Sequence, residues 1–199
     1  MKKLLIATNN PGKLSEISDL LKSLPIQLVT PNDLGIDLDV EETGGTYVEN
    51  ARLKAAAFMK ASGLASLADD TGLEVDAFNG APGLHSKRYA PEPSATDTDR
   101  RKLLVKNLEK YPRPWSARFV CFVALAMPDG RMQVANGVCK GEIIPDERGT
   151  QGFGYDSIFY FKELGKTMGE LDLAEKNLIS HRARAVNNIV FAVENYLKE

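Results

Sequence analysis

The chain has 199 residues, of which 43% are hydrophobic and 26% are charged, a composition typical of a globular protein with a substantial core. Its 25 basic and 27 acidic residues give a formal charge of -2, which argues against a broad basic surface for nucleic acid or an anionic membrane. That balance is still compatible with a small basic pocket for a phosphorylated ligand.

The apolar stretch near the N-terminus is too short for the core of a signal peptide, and no later apolar run approaches membrane-spanning length. We therefore expect a cytoplasmic protein without a membrane segment. Two cysteines occur, Cys121 and Cys139, both in strand-like apolar segments. In a reducing compartment such residues are typically small hydrophobic core residues, so no disulfide is expected.

In the first part of the chain, hydrophobic periodicity predicts strands that alternate with helices. The turn signal NNPG separates the first strand from a helix with apolar residues at helical spacing. A long alanine-rich segment forms the second helix. The predicted strands are Lys3–Thr8, Ile26–Thr30 and Leu64–Ala68, and the predicted helices are one that ends before Pro25 and one over Tyr47–Ser62.

The second part of the chain predicts a helix, a hairpin and a closing helix. Thr96 is the expected N-cap of the helix, because two aspartates follow it in the first turn. A PDG turn joins the hairpin strands, and an aromatic strand, SIFYF, comes after a glycine-rich stretch. The hairpin strands are predicted over Arg118–Met127 and Met132–Ile144, and the closing helix over the residues that follow Ser180.

This order of elements predicts an α/β protein with a mixed central β-sheet flanked by helices. No internal repeat, low-complexity tract or linker interrupts the sequence, so residues 1–199 are interpreted as a single domain. We expect that domain to have two lobes with an active-site cleft between them.

The segment TNNPGK, from Thr8 to Lys13, is the first candidate binding site. A strand ends there, a tight turn follows, and Lys13 lies at the start of a helix. Free backbone N–H groups at a helix N-terminus, together with a lysine, can bind phosphate. The alternative is a plain strand-to-helix turn with an exposed lysine.

Two pairs of carboxylates are candidate metal ligands. Glu41 and Glu42 lie in a loop, and Asp69 and Asp70 follow a predicted buried strand. Carboxylates of this kind suit Mg²⁺, which takes few protein ligands and completes its shell with water and phosphate. The alternative is solvated surface charge for the glutamates and a turn cap for an aspartate. Because adjacent side chains on a strand point to opposite faces, the two aspartates are not expected to share one role.

The glycine-rich stretch GTQGFGYD carries two aromatic residues, Phe153 and Tyr155. Glycines allow close backbone approach, and an aromatic ring there could stack on a base. The alternative is a glycine-rich loop with a core aromatic residue.

The segment EKNLISHR places basic residues at the start of the closing helix. Ser180 is a candidate N-cap, which puts His181 and Arg182 in the first turn. Positive charge at a helix N-terminus is unfavourable next to the helix dipole. We therefore expect an anion or a hydrogen-bond acceptor opposite these two residues. A solvated basic helix start is the alternative.

Taken together and in order, these motifs resemble the inosine triphosphate pyrophosphatase family, also called the Ham1 or RdgB-type family. The resemblance runs from Thr8 to Arg182 through TNNPGK, EETGGTYVENARLKA, ADDTGLEVDAFNGAPGLHSKRY, GFGYD and EKNLISHR. It implies Mg²⁺-dependent hydrolysis of ITP, dITP and XTP to the monophosphate and pyrophosphate, which removes deaminated purines from the nucleotide pool. It also implies a homodimer, with the site in a cleft between two lobes.

The resemblance assigns roles to individual residues. Asp70 is implied to be the general base and a metal ligand, and Glu41 a second metal ligand. The substrate-binding residues implied by the resemblance are Thr8, Asn9, Asn10, Pro11, Gly12, Lys13 and Lys54 for the triphosphate, Thr71 for a substrate contact, Phe153, Gly154, Tyr155 and Asp156 for the base, and Lys176, His181 and Arg182 for the 6-oxo edge of the purine.

Some positions depart from the usual family pattern and leave questions open. Asn9 stands where glycine is frequent, Thr71 where serine is frequent and Ser157 where proline commonly follows the aspartate. The sequence does not decide between Glu41 and Glu42 as the metal ligand, and it explains neither the role of Lys87 nor how GTP is rejected.

Three other functions compete with this interpretation. An aspartyl-phosphate phosphatase also places aspartates after a strand, but its two aspartates are normally separated by one residue. A Maf-like pyrophosphatase has a similar fold and different motifs. A non-catalytic nucleotide sensor is disfavoured because Lys13, Glu41 and Asp70 are all present.

Overall fold

The computed structural model describes residues 1–198, and it confirms the predicted α/β class with a mixed sheet. The eight strands are β1 (Lys3–Ile6), β2 (Gln27–Val29), β3 (Ala65–Val75), β4 (Pro82–Gly83), β5 (Trp115–Ala126), β6 (Met132–Ile143), β7 (Phe159–Phe161) and β8 (Lys166–Thr167). The five α-helices are α1 (Pro11–Leu21), α2 (Tyr47–Ser62), α3 (Asp97–Leu108), α4 (Leu173–Ile179) and α5 (His181–Lys198).

Neighbouring strands are hydrogen-bonded in the order β2-β1-β3-β5-β6-β7-β8, and β4 pairs with β3. β1 is parallel to both β2 and β3, with Ile6 opposite Leu67. β4 is antiparallel to β3, and β7 is antiparallel to both β6 and β8. The sheet is therefore mixed, with its parallel strands contributed by the early part of the chain.

The chain divides into two compact units. Unit 1 comprises residues 1–71, 121–137 and 180 onward. Side chains along β1 alternate in direction, as the pleat of a strand requires. Leu4 and Ile6 pack in a core cluster with apolar residues of α1 and α5, whereas Leu5 packs in a second cluster with Ala51 and Phe58 of α2. Both faces of β1 are therefore covered by helices.

Unit 2 comprises residues 72–120 and 138–179. Its core contains Leu104 and Leu108 of α3, Trp115 at the start of β5, and Phe159 of β7. The ring centroids of Phe119 and Phe159 are 4.6 Å apart. Unit 2 thus has an apolar core of its own, built around aromatic side chains.

Two predicted helix caps are confirmed by side-chain hydrogen bonds, and the predicted state of the cysteines is confirmed by their burial. Thr96 caps α3 in a capping box with Asp99, and Ser180 Oγ accepts a hydrogen bond of 3.1 Å from the N–H of Ala183 in the first turn of α5. Both cysteines are free and buried. Burial raises the pKa of the Cys121 thiol to about 12, which makes it inert as a nucleophile.

Several predicted boundaries are wrong, and β3 is the most informative case. The sequence predicts that this strand ends at Ala68, but it continues through Asp69 and Asp70 to Val75. Cations packed against both carboxylates make this continuation feasible. Elsewhere β1 ends two residues early at Ile6, β5 begins three residues early at Trp115, the aromatic strand begins only at Phe159, and α4 lies in a segment for which no helix was predicted.

Among residues 1–198, no helix is long and apolar enough to cross a membrane.

Candidate active site

The two aspartates lie where β3 extends beyond its parallel partner. β1 ends at Ile6, opposite Leu67, and the N–H of Ala7 donates a 2.8 Å hydrogen bond to the carbonyl of Leu67. Asp69 and Asp70 therefore follow the last paired position, beside the loop that leads into α1. The carboxyl ends of parallel strands are the usual place for ligand sites in α/β sheets.

Asp69 is 2% exposed, and one of its two carboxylate oxygens, Oδ2, is surrounded by donors. Its Oδ2 lies 3.0 Å from Nζ of Lys13 and 3.2 Å from both Nε and Nη2 of Arg182, and it accepts a 3.0 Å hydrogen bond from the hydroxyl of Thr71. Burial alone would raise the pKa of Asp69, but Lys13, Arg182 and Lys54 hold that pKa well below its usual range. The carboxylate of Asp69 thus connects β3 to α1 through Lys13 and to α5 through Arg182.

Arg182 is 1% exposed and joins two elements to β3. Its Nη1 donates a hydrogen bond to Oε2 of Glu16, a buried residue of α1, while the rest of the guanidinium faces Asp69. An anion was expected opposite the basic start of α5, and the structure places two carboxylates there, those of Glu16 and Asp69. Burial opposes the charged guanidinium, but these carboxylates raise the pKa of Arg182 above its ordinary value.

Asp70 points the other way, toward α2. Its Oδ1 lies 3.2 Å from Nζ of Lys54, and its Oδ2 accepts a 3.2 Å hydrogen bond from the side-chain amide of Asn50. Lys54 also lies 2.7 Å from Oε1 of Glu42. Burial and the charge of Glu42 raise the pKa of Asp70, and they outweigh the opposing effect of Lys54 and Lys13.

Lys54 is correspondingly a firmly charged ammonium group. Burial on its own would lower the pKa of Lys54, but Asp70, Asp69 and Glu42 together raise it. Because one ammonium contacts both Asp70 and Glu42, the two carboxylates converge on a single cation.

Ion pairs connect seven charged side chains of unit 1, which we call the unit 1 cluster. They are the cations Lys13, Lys54 and Arg182 and the carboxylates Glu16, Glu42, Asp69 and Asp70. These seven groups carry a net charge of -1, which an added divalent cation would more than balance. Within residues 1–198, no three His, Cys, Asp or Glu side chains are placed to hold a metal ion by themselves. Mg²⁺ needs only one or two carboxylates when phosphate and water complete its shell, so these oxygens fit that ion.

The loop Thr8–Lys13 is shaped by its own polar side chains. The hydroxyl of Thr8 accepts a 3.1 Å hydrogen bond from the N–H of Asn10, and Oδ1 of Asn10 caps α1 by accepting 3.0 Å from the N–H of Lys13. Pro11 occupies the first turn, where a missing N–H costs nothing. Gly12 lies in the same turn, and Asn9 just before the cap. The ammonium of Lys13 contacts Asp69 in this structure.

In unit 2, the segment Phe153–Asp156 is organised by a buried ion pair. Oδ2 of Asp156 lies 2.6 Å from Nζ of Lys176 and accepts a 2.9 Å hydrogen bond from the N–H of Phe153. Nζ of Lys176 is also 5.1 Å from the centroid of the Phe153 ring. A Cβ at Gly152 would collide with the Asp156 carboxylate, so only glycine fits beside this ion pair.

The two aromatic residues of this segment differ in their surroundings. Tyr155 is buried in the core, and its hydroxyl donates a 2.7 Å hydrogen bond to the carbonyl of Ser86. Burial accordingly raises the pKa of Tyr155. Phe153 is only half-buried, so it is the residue of the pair that can present a face to a ligand.

The remaining predicted residues are divided between the units. Lys176 belongs to unit 2, whereas His181 and Arg182 begin α5 in unit 1, where His181 is buried. Glu41 is exposed, and it is its neighbour Glu42 that contacts Lys54. Lys87 is also exposed.

Sequence reasoning missed Glu16 and Asn50. Asn50 lies four residues before Lys54 on α2, a spacing that puts both on one helix face, so the sequence did carry a signal for it. Glu16 lies three residues after Lys13 on α1, but only its distant partner Arg182 explains why a carboxylate is buried there.

An α/β sheet with lysines, a helix N-terminus and carboxylates gathered at the end of parallel strands defines a class of phosphate-handling proteins. A model of the Ham1 family matches residues 4–192, and the chain belongs to that family. The resemblance deduced from the motifs is thereby confirmed.

Individual relatives match over nearly their whole length. The dITP/XTP pyrophosphatase of Desulforamulus reducens is 45% identical over 185 residues, covering 92% of each chain. That of Mannheimia succiniciproducens is 48% identical over 189 residues, covering 93% of this chain and 94% of the relative. The solved structure of a HAM1 protein from Coxiella burnetii has a TM-score of 0.86 at 40% identity and covers 98% of this chain and 100% of its own.

Proposed function

We propose that this protein is a house-cleaning nucleoside-triphosphate pyrophosphatase that hydrolyses dITP, XTP and ITP to the monophosphate and pyrophosphate. Its relatives named dITP/XTP pyrophosphatase support the substrate class. The observation that carries the proposal is the convergence of Lys13 and Lys54 on the adjacent carboxylates Asp69 and Asp70. This arrangement places cations that can bind phosphate next to a carboxylate that can act as a general base.

Asp70 is the proposed general base. Its pKa is raised, mainly by burial, so it is the better proton acceptor of the two aspartates, whereas cations lower the pKa of Asp69 and keep it ionised. The amide of Asn50 fixes one oxygen of Asp70 and leaves the other beside Lys54. A proton taken from water would reside on this carboxyl group.

The triphosphate binds, in this proposal, to the loop Thr8–Lys13 and to Lys54. Backbone N–H groups at the start of α1 and the two ammonium groups offset the negative charge that builds on the departing pyrophosphate. Thr71, whose hydroxyl contacts Asp69 and Arg182, contributes a further substrate contact.

We further propose Mg²⁺ as the cofactor, held by Asp70 and by one glutamate of the pair Glu41 and Glu42. When bound, the ion supplies positive charge to the phosphates and favours ionisation of nearby water. Asp70 and Glu42 already share one cation in this structure, which supports their ability to share another.

Base recognition is assigned to the segment Phe153–Asp156 and to three basic residues. Phe153 is proposed to stack on the purine, and Lys176, oriented by Asp156, to donate to an oxygen at position 6. His181 and Arg182 remain predicted readers of the same edge, and the N–H groups of Arg182 are directed to Glu16, Asp69 and Thr71 in this structure. Such donors disfavour adenine, which presents an amino group at that position.

Two further parts of the proposal concern the protein in the cell. We expect a homodimer, which sedimentation of the purified protein would test, and a cytoplasmic location, which fractionation would test. A purely monomeric protein across the assay concentration range contradicts the first, and recovery in the membrane fraction contradicts the second.

The test of the activity uses purified protein, Mg²⁺ and four substrates, dITP, XTP, GTP and ATP, with pyrophosphate and orthophosphate measured separately. Pyrophosphate released from dITP and XTP in large excess over ATP is the expected result. Orthophosphate as the first product would favour a phosphatase instead. Equal turnover of dITP and ATP would overturn the assigned roles of Lys176, His181 and Arg182.

A further inference from the structure

Helix α3 holds the backbone of Gly154, a residue next to the proposed stacking ring. The N–H of Gly154 donates a 2.8 Å hydrogen bond to Oδ2 of Asp97, and the carbonyl of Gly154 accepts one of 2.8 Å from Nη1 of Arg101. Both polar backbone groups of one glycine are therefore bound by side chains one helical turn apart, 57 and 53 residues away in the chain.

The two side chains of α3 are themselves held in place. Asp97 forms an ion pair with Arg100, and Arg101 lies 2.8 Å from Oε2 of Glu147. Ser157 in turn donates a 3.2 Å hydrogen bond to the same oxygen of Glu147. Arg101 is also largely buried, and its Nε has no hydrogen-bond partner, a cost that the contacts of its other nitrogens must offset.

Gly154 has a positive φ of 63°, in the left-handed region that glycine adopts most readily. A Cβ at this position would meet nothing within 4 Å, so the backbone conformation rather than space explains the glycine. The backbone is therefore held at two successive residues. Asp156 accepts a hydrogen bond from the N–H of Phe153, and Asp97 of α3 accepts one from the N–H of Gly154.

We propose that Asp97 and Arg101 are positioning residues that set the orientation of the Phe153 ring and thereby the affinity for the purine base. This inference rests on the proposed function, in which Phe153 stacks on that base. Asp97 and Arg101 belong to unit 2, whereas the cluster assigned to the triphosphate belongs to unit 1, so we expect their effect on base binding.

The experiment compares Asp97→Ala and Arg101→Ala with the unaltered enzyme. We expect KM for dITP to rise about 5- to 20-fold in each variant while kcat changes less than about twofold, because lost positioning weakens binding of substrate and transition state alike. Inhibition by inorganic tripolyphosphate, a probe of the phosphate site alone, should be unchanged. Asp97→Asn keeps an oxygen that can accept from Gly154 and should restore most of the lost affinity.

Thr96→Ala is the matched control. It removes the N-cap of the same helix and lowers stability by a comparable route, but it does not touch Gly154. Its KM should remain close to that of the unaltered enzyme. A rise in KM equal to that of Asp97→Ala would mean that α3 acts only through general stability, and would overturn the proposal.

A double-mutant cycle separates this inference from the function on which it rests. In a Phe153→Ala background, Asp97→Ala should have little further effect on KM, because the ring that it positions is gone. If Phe153→Ala alone leaves KM and the preference for dITP over ATP unchanged, the stacking role in the proposed function fails. If Phe153→Ala has a large effect but the α3 variants do not, only the positioning role fails.

Discussion

Asp69 and Asp70 are neighbours in the chain, yet their carboxylates contact different lysines on opposite faces of β3. Oδ2 of Asp69 lies 3.0 Å from Nζ of Lys13, and Oδ1 of Asp70 lies 3.2 Å from Nζ of Lys54. The first contact faces α1 and α5, and the second faces α2. Alternation along a strand thus separates the carboxylate that pairs with Lys13 and Arg182 from the one that we propose as the general base.

Replacement of Asp70 by Asn should abolish turnover while the fold and substrate binding persist. The amide cannot accept a proton from water, and loss of a general base typically costs 10²- to 10⁴-fold in rate, so we expect a fall of roughly that size in kcat. Lys54 keeps Glu42 as a partner, so no buried cation is left alone. Pyrophosphate release measures the rate, and calorimetry with dITP measures binding. Retained activity would place the base at another residue.

Replacement of Asp69 by Asn should instead destabilise the protein. Lys13 loses its carboxylate, and Arg182 loses one of its two carboxylate partners, so the cost should be about 3 kcal/mol in the free energy of unfolding in urea. Asp19→Asn is the control, because it removes a surface ion pair between Asp19 of α1 and Lys22, the residue that follows this helix. That variant should change stability by less than about 0.5 kcal/mol. Equal stabilities of the Asp69 and Asp19 variants would contradict the anchoring role.

The contribution of Asp97 to stability should depend on pH. Burial on its own would raise the pKa of Asp97, but Arg100, the N–H of Gly154 and Arg101 lower it below that of the unfolded chain. The carboxylate therefore stabilises the fold above a pH of about 4, and this stabilisation is lost as pH falls through the lowered pKa. Because Asp97 is partly exposed, we expect only about 0.5 to 1 kcal/mol at neutral pH.

Urea unfolding of the unaltered protein and of Asp97→Asn at a series of pH values checks this expectation. The difference between the two should be largest near neutral pH and should shrink below about pH 4. Leu104→Ala, in the core beneath the same helix, serves as the control, since its cost should not vary with pH. A difference for Asp97→Asn that is constant down to pH 2 would contradict the ion-pair account.

Sequence reasoning succeeded where the signal was local. The helix over Tyr47–Ser62 has the predicted bounds, and the caps at Thr96 and Ser180 are those that the polar residues at each helix start predicted. It failed to predict where β3 ends, a position at which the contacts are with residues distant in the chain. β3 runs on through Asp69, and the buried carboxylate of Asp69 pairs with Arg182, which lies 113 residues away in the chain.

The same distinction applies to the site. The motifs predicted roles for Lys13 and the segment Phe153–Asp156, because phosphate-binding turns and glycine-rich loops have short signatures, and the family resemblance predicted a role for Asp70. The hydrogen bonds from α3 to Gly154 have no such signature, since they join residues more than 50 positions apart, and in the sequence Asp97 and Arg101 resemble ordinary surface charges of a helix.

The choice between Glu41 and Glu42 is the last question that a matched pair of variants can answer. Glu42 contacts Lys54, which also contacts Asp70, whereas Glu41 is exposed. We expect Glu42→Gln to weaken the hold on Lys54 and so to raise KM for dITP. One of the two glutamates is proposed to bind Mg²⁺. Its replacement by Gln should raise the Mg²⁺ concentration needed for half-maximal rate by about tenfold, which corresponds to the loss of one charged oxygen contact of about 1.4 kcal/mol.

Calorimetric titration of Mg²⁺ in the presence of the product monophosphate measures the affinity for Mg²⁺ without turnover. If both variants bind Mg²⁺ as tightly as the unaltered protein, neither glutamate is a ligand and Asp70 alone provides the carboxylate.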